Sequence, residues 1–441
     1  MTITRFAPSP TGYLHIGNFR AALMNYLMSH KLGGTFILRI DDTDAERSKE
    51  EYVEATKEDL RWLGITWDRI ERQSHRLGHY DAAADRLREK GLLYECFETP
   101  TELDLKRKKQ LNMGKPPVYD RAALALSDAE KGALREERGQ GHWRFKLDHT
   151  RIEWADGILG NISIDASSLS DPVLIRGDGQ YLYTLASVVD DVEMGITHVV
   201  RGSDHVTNTA TQIQMMDALE GTVPTFAHHS LLTGPQGEGL SKRFGSLSLR
   251  DMRKEGIVPA ALISLMARLG SSQPVELQTE LDAVADGFEV SHFGSAPTKF
   301  DKQDLFPLTA RYLQNLPLKA VAKSVLAAGV PEDYAKPFWM VVRDNITTLN
   351  DLSDWWTLCC EGAEPEISDE DREFVSQALA LLPDGPFTGD SWGNWTQAVK
   401  EVTERKGKSL FMPLRKALTG KSHGPDMSAL LPLLQVIKAK R

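Results

Sequence analysis

Two short stretches of this chain hold residues whose types and spacing could do chemistry on an anion. The first is "FAPSPTGYLHIGN", residues 6–18, where two prolines and a glycine set a stiff turn and His15, Ile16, Gly17 and Asn18 open a helix. Backbone N–H groups at a helix mouth lack intrahelical partners, and the positive end of the helix dipole adds to their pull on a phosphate. Gly17 lets a flat base approach the backbone there, and His15 can donate to a phosphate oxygen. The second is "GEGLSKRFGS", residues 237–246, a glycine-rich loop carrying Ser241, Lys242 and Arg243. Such a loop can close over a triphosphate and stabilise the charge that develops as pyrophosphate leaves. Each stretch alone also fits something plainer, a capped helix with a surface histidine or a basic surface turn.

Groups so far apart in sequence meet only if the fold brings them together. Residues 3–7 read as a short buried strand, and the turn leads into a helix over about 15–32 with Ala21, Ala22, Met24, Leu27 and Met28 near helical period, stopped by Gly33 and Gly34. "TFILRIDDTD" follows as a strand ending in acids, and "EEYVEATKEDLRWLG" as a helix closed by Gly64. Strand, turn, helix, strand, helix begins a doubly wound parallel sheet, whose ligands sit at the carboxyl ends of strands. From about 96 to 185 the texture changes to a basic run, a helix and the alternating "HWRFKL" and "RIEWADGILGNISID", an expected antiparallel insertion. The α/β pattern resumes with "THVVRGSDH", a helix over about 206–220 and "TFAHHSLLTG"; beyond residue 250 it is mostly helical.

Composition bounds the rest. A chain of 441 residues exceeds one core, and 41% hydrophobic with 26% charged residues is the balance of a soluble globular protein. No apolar run of membrane-spanning length exists, and "MTITRFAPSP" has neither a signal-like core nor a transit-peptide profile, so a cytoplasmic protein with no membrane partner is expected. Cys96, Cys359 and Cys360 cannot make a disulfide framework, and no pair has zinc-ligand spacing. The net charge of -10 argues against nucleic acid, yet residues 402–441 hold nine Lys or Arg against Glu404 and Asp426. That run is either a solvated helical surface or a phosphate-facing one.

The two motifs together resemble the signatures of class I aminoacyl-tRNA synthetases, and the chain resembles the bacterial glutamyl-tRNA synthetases. The resemblance rests on "RFAPSPTGYLHIGN", "RIDDTD", "GDGQYLYTLASVVDD", "GITHVVRGSDH", "LSKRFG" and "GKSLFMPLRKALTG", in the family's order over nearly the whole length. It implies an α/β fold: a split Rossmann-like parallel-sheet catalytic domain (1–95 and 186–236) with an α+β insertion (96–185) that binds the acceptor end. A stem-contact domain with the lysine-bearing loop (237–305) and a helical anticodon-binding domain (306–441) would follow. The partners implied are L-glutamate, ATP with Mg²⁺, and tRNA(Glu), with the protein a monomer. His15 and Lys242 would be catalytic; His15, Gly17, His205, Ser241, Lys242 and Arg243 would bind ATP. Arg5, Ser9, Asp41, Tyr183 and Arg201 would bind glutamate, with Arg5 on its side-chain carboxylate.

The chain departs from the family in four places, one of them Asn18 in the last position of the first motif, where the fully His-flanked version has histidine. Asp41 stands where Glu is usual, one methylene shorter. "LSKR" lacks the more common Met and final Ser while keeping Lys242. Some members hold zinc in the insertion through Cys and His, but only Cys96 is present here, so no structural zinc is expected. A glutaminyl-tRNA synthetase shares both motifs, as does a short relative that modifies a tRNA base, and an enzyme that also charges tRNA(Gln) is a further alternative.

Overall fold

The computed structural model describes residues 1–240 and 247–440, so Ser241, Lys242 and Arg243 lie outside the described residues. The chain divides into two units, residues 1–251 with 262–301, and residues 252–261 with 302–441.

In the first unit β1 (Ile3–Phe6) leads into α1 (Ile16–Lys31), β2 (Thr35–Ile40), α2 (Glu50–Trp62), β3 (Arg69–Arg72) and α3 (Leu77–Glu89). The three strands are parallel, with Ile3 opposite Thr35 and Ile37 opposite Arg69. Ile16, Phe19, Ala22, Leu23, Met24 and Leu27 of α1 are fully buried, so this helix belongs to the core rather than to a surface stripe. The sequence reading missed β3 because "RIER" is a short charged strand at the margin of its sheet, with no alternation to detect.

The insertion comprises β4 (Leu93–Cys96), α4 (Pro100–Asn112), α5 (Asp128–Arg138), β5 (His142–Phe145), β6 (Arg151–Asp156), β7 (Gly160–Asp165) and β8 (Val173–Ile175). β5 lies between β4 and β8, antiparallel to both, and β6 and β7 form a hairpin with Trp154 opposite Ile162. Both helices start at capping boxes, Thr99 with Glu102 and Ser127 with Glu130.

The chain returns through α6 (Tyr183–Glu193), β9 (His198–Gly202), α7 (Val206–Ala218) and β10 (Thr225–His229). β9 and β10 are parallel, and the Thr197 N–H donates to the Ile3 carbonyl at 3.0 Å, setting β9 beside β1. The strands therefore run β3, β2, β1, β9, β10, reversing direction of winding between β1 and β9. Ligands of open α/β sheets bind beyond the carboxyl ends of the strands at such a reversal.

The second unit is helical, with helices at Leu305–Gln314, Leu318–Ala327, Glu332–Val342, Asp351–Glu361, Arg372–Ala380, Ser391–Val402 and Lys408–Thr419. Trp339, Phe338, Trp395 and Leu410 form part of its buried interior, and the Trp395 indole N–H donates to the Ala378 carbonyl at 2.7 Å. Among the described residues, four cations of the basic C-terminal run pair with acids inside this unit. Lys416 pairs with Glu366 at 2.5 Å, Lys438 with Glu364 at 2.9 Å, Lys440 with Asp384 at 2.7 Å, and Arg405 with Asp371. Among the described residues no helix is long and apolar enough to cross a membrane.

Candidate active site

A cavity of about 920 Å³ opens where β1 and β9 end. The turn after β1 and the mouth of α1 form one wall, with Ser9, His15 and Gly17; Tyr183, Arg201, Asp204 and His205 form another. Arg5 lines it from β1. The structure thus gathers seven of the residues singled out in the sequence, from positions up to two hundred apart, on one surface.

The helix mouth differs from the expectation of bare backbone. The His15 ring is the N-cap of α1: its Nδ1 accepts from the Gly17 N–H at 3.0 Å and the Asn18 N–H at 3.3 Å, while Asn18 Oδ1 accepts from the His15 N–H. The Ile16 N–H donates to the Leu247 carbonyl and the Phe19 N–H to the His15 carbonyl. The first amides of α1 are thus occupied, and the wall offers an imidazole instead. Because Nδ1 accepts, the ring proton sits on Nε2, a donor suited to a phosphate oxygen. Burial lowers the His15 pKa and keeps the ring neutral. Gly17 matters for the same contact, since a Cβ there would lie 2.9 Å from His15 Cε1.

The two arginines differ in what they leave for a ligand. Arg5 is engaged by Asp191, Nε to Oδ1 at 3.0 Å and Nη2 to Oδ2 at 3.3 Å. Arg201 is buried, yet it has no ion pair among the described residues. Its Nη1 donates to Tyr183 Oη (3.2 Å), its Nη2 to Thr209 Oγ1 (2.6 Å) and Gln212 Oε1 (2.7 Å), and its Nε to His228 Nε2 (3.3 Å). Every one of these acceptors is neutral. Burial pulls the Arg201 pKa below the ordinary arginine value, and the nearest anion, Asp191, acts on it only through space, so the site holds a desolvated cation with no anion in contact with it among the described residues. A carboxylate entering the cavity would supply that anion. His205 tilts against the Tyr183 ring at 5.8 Å, and burial lowers its pKa.

Asp41 does not join this surface. Its carboxylate lies behind the wall, held by Arg39 through Nε (2.7 Å) and Nη2 (3.1 Å), while Arg39 Nη1 reaches Asp191 at 2.7 Å. Asp41, Arg39, Asp191 and Arg5 therefore form a buried chain of alternating charge. Arg39 and Asp41 lie on one face at the strand's end, and the second acid on Arg39, Asp191, comes from about 150 residues on. The acidic side chain that does line the cavity, alone of its kind among the described residues, is Asp204, which the sequence reading passed over. Ser241, Lys242 and Arg243 are outside the described residues.

In the insertion, Cys96, Glu98 and His142 bring their ligand atoms within 4.8 Å of one another. Glu98 Oε2 and His142 Nε2 are buried without a hydrogen-bond partner. Tyr119 Oη bonds Glu98 Oε1 at 2.8 Å, and burial pushes the Cys96 thiol up to about 11. These donors fit a cation as three ligands, one short of a closed tetrahedral zinc set. Cys96 is therefore not alone in the insertion, since Glu98 and His142 stand beside it.

A family model described as the catalytic domain of class I tRNA synthetases (E and Q) matches residues 1–307, and one described as an anticodon binding domain matches residues 309–436. The chain is 75% identical over 441 residues to glutamate–tRNA ligase 1 of Roseobacter denitrificans, covering 100% of both, and 73% identical over 440 residues to glutamate–tRNA ligase 1 of Ruegeria pomeroyi, covering 100% of this chain and 99% of that one. The crystal structure of a glutamate tRNA ligase from Elizabethkingia meningosepticum in complex with its amino acid aligns with a TM-score of 0.83 at 28% identity, over 98% of this chain and 96% of that one. With both family models and the full-length relatives in agreement, the chain belongs to the class I tRNA synthetase family, among the glutamate–tRNA ligases.

Proposed function

We propose that the chain activates L-glutamate with ATP and transfers the glutamyl group to the 3′-terminal adenosine of tRNA(Glu), releasing AMP and pyrophosphate. The observation that carries this reading is Arg201, a buried guanidinium with only neutral acceptors on the wall of the cavity. The side-chain carboxylate of glutamate completes it, beside Arg5 and the Tyr183 hydroxyl. A glutamine amide in that place would leave the cation uncompensated, which disfavours glutamine at the same position. Asp204 draws the substrate's ammonium to the opposite side, and Ser9 lies beside the amino acid in the turn.

In the first step a glutamate α-carboxylate oxygen attacks the α-phosphate of ATP, which arrives with Mg²⁺. The new P–O bond forms as the bond to pyrophosphate breaks. His15 donates from Nε2 to a phosphate oxygen, and Lys242 and Arg243 of the glycine-rich loop, with Ser241, hold the leaving phosphates. Gly17 and His205 flank the nucleotide. In the second step the ribose 2′-hydroxyl of the terminal adenosine attacks the activated carbonyl, and AMP departs. Positioning and fixed positive charge supply the acceleration, so no protein nucleophile takes part. The insertion holds the acceptor end, and the helical unit meets the anticodon; were zinc bound, Cys96, Glu98 and His142 would hold it as part of the insertion's scaffold.

The test is aminoacylation of tRNA with labelled glutamate and labelled glutamine in parallel. Acid-labile glutamate on tRNA with glutamine inert is the expected result, and charging of glutamine in preference would overturn the reading.

A further inference from the structure

Arg201 is held by a histidine that is itself held by an acid from the insertion. In the register of β9 and β10, His228 lies directly opposite Arg201, and its Nε2 is the acceptor for the Arg201 Nε–H. The other ring nitrogen, Nδ1, meets Asp156 Oδ2 at 2.5 Å. Both side chains are fully buried, and neither lines the cavity. Asp156 ends β6, and its Oδ1 accepts from the backbone N–H groups of Ile158, Leu159 and His228, each at 3.0 Å. Burial works against the Asp156 anion, but the His228 ring and these three amides hold its carboxyl well below the usual carboxylate range.

An ionised Asp156 takes a proton donor from Nδ1 and so leaves Nε2 as a lone pair facing Arg201. The alternative tautomer would turn Nε2–H toward Thr209 Oγ1, 2.9 Å away, and leave the Arg201 Nε–H without its acceptor. A carboxylate placed directly on Arg201 would orient it equally well but would compete with the substrate for the cation. Passing the anion through a neutral imidazole fixes the guanidinium plane and leaves its charge uncontested. We infer that Asp156 and His228 are positioning residues that orient Arg201 for the substrate's carboxylate and thereby set glutamate affinity from within the insertion. This rests on the reading above that Arg201 meets glutamate.

The test is Asp156→Asn, which keeps Oδ1 for the three backbone donors and changes only the atom facing His228. The new amide donates to Nδ1, and the ring proton moves to Nε2. In ATP–pyrophosphate exchange with tRNA present, the KM for glutamate is expected to rise by roughly 10- to 100-fold, with kcat and the KM for ATP within about twofold. His228→Gln alone, with Asp156 intact, keeps an amide donor for Asp156 and an acceptor toward Arg201, and is expected to hold the glutamate KM within about threefold of the parent. His228→Asn keeps a donor for Asp156 but lacks that acceptor; it gives the same KM rise and carries the test if Asp156→Asn does not fold. Arg201→Gln serves as the reference. If it raises the glutamate KM while Asp156→Asn and His228→Asn leave it unchanged, or impair glutamate and ATP alike, the positioning role is overturned and the Arg201 reading stands. If Arg201→Gln leaves the glutamate KM unchanged, the Arg201 reading itself is overturned, and the inference with it.

Discussion

Arg201 and the cations near the C-terminus are positive charges in the same chain, set in opposite circumstances. The C-terminal set is abundant and partly exposed, and Arg405, Lys416, Lys438 and Lys440 each meet an acid within their own unit. Arg201 is a single charge, buried, and bonded only to neutral acceptors. An exposed ion pair is worth about 0–1 kcal/mol, so exchanging its acid for another anion changes little. A buried cation without a counter-charge gains far more when one arrives, because its desolvation cost has already been met by the fold. Positive charge becomes binding capacity where the fold withholds the counter-charge, and that cannot be counted along a sequence.

The sharpest way to break this contrast is to remove the cavity's cation. Arg201→Ala is expected to lower kcat/KM for glutamate by roughly a thousandfold, about 4 kcal/mol, as befits a desolvated charge whose ligand loses its partner. Exchange kinetics with tRNA present would measure it. A loss below about fivefold would mean that Arg5, despite its bonds to Asp191, carries the carboxylate.

How much of this was legible in the sequence depends on the distance over which the chemistry is decided. The helix over 15–32, the insertion's hairpin and the resumption of parallel strands followed from local periodicity and punctuation, and the structure has them at Ile16–Lys31, Arg151–Asp165 and His198–His229. The cavity residues were found by motif, because a turn of prolines and glycine before His15 has a shape that local residues determine. What was not legible is pairing. Nothing near Arg5 in sequence says that Asp191 claims its guanidinium, and nothing near Cys96 announces His142. Asp156 and His228, 72 residues apart, become one unit only when the hairpin packs beside β10.

His15 shows the same limit inside a single motif, and it separates capping from chemistry. Asn at position 15 can still accept from the amides of Gly17 and Asn18, but it has no equivalent of Nε2–H. His15→Asn is therefore expected to keep the unfolding free energy within about 0.5 kcal/mol of the parent while slowing adenylate formation roughly a hundredfold; His15→Ala should add a cap loss of about 1 kcal/mol. The pH dependence has a definite sign. The folded-state pKa of His15 lies below its ordinary value of 6.5, so its stabilising contribution is present above that value and is lost as pH falls through the lowered pKa. Denaturant titrations should then show any advantage of His15 over Asn shrinking below about pH 6.5. An advantage that grows on acidification would mean that the ring caps the helix as a cation, contrary to its two accepted hydrogen bonds.

The smallest effect is expected at the other side of the comparison. Lys438 and Lys440 are held by Glu364 and Asp384, and Lys440 also donates to the Leu382 carbonyl at 2.8 Å. If these bonds persist when tRNA binds, no counterion is released at either position. The double variant Lys438→Gln, Lys440→Gln should then change tRNA affinity by less than about twofold and leave the slope of log affinity against log salt unchanged within about 0.5. Cations that do neutralise phosphates would each remove roughly 0.7–0.9 from that slope. Filter binding at several salt concentrations distinguishes the two, and a fall in slope of about 1.5 or more would show that the ion pairs are only the resting state of a phosphate-facing surface. That result would narrow the contrast with Arg201 to one of solvation alone, since both sets of cations would then exchange partners on binding and differ only in how much water each has already given up.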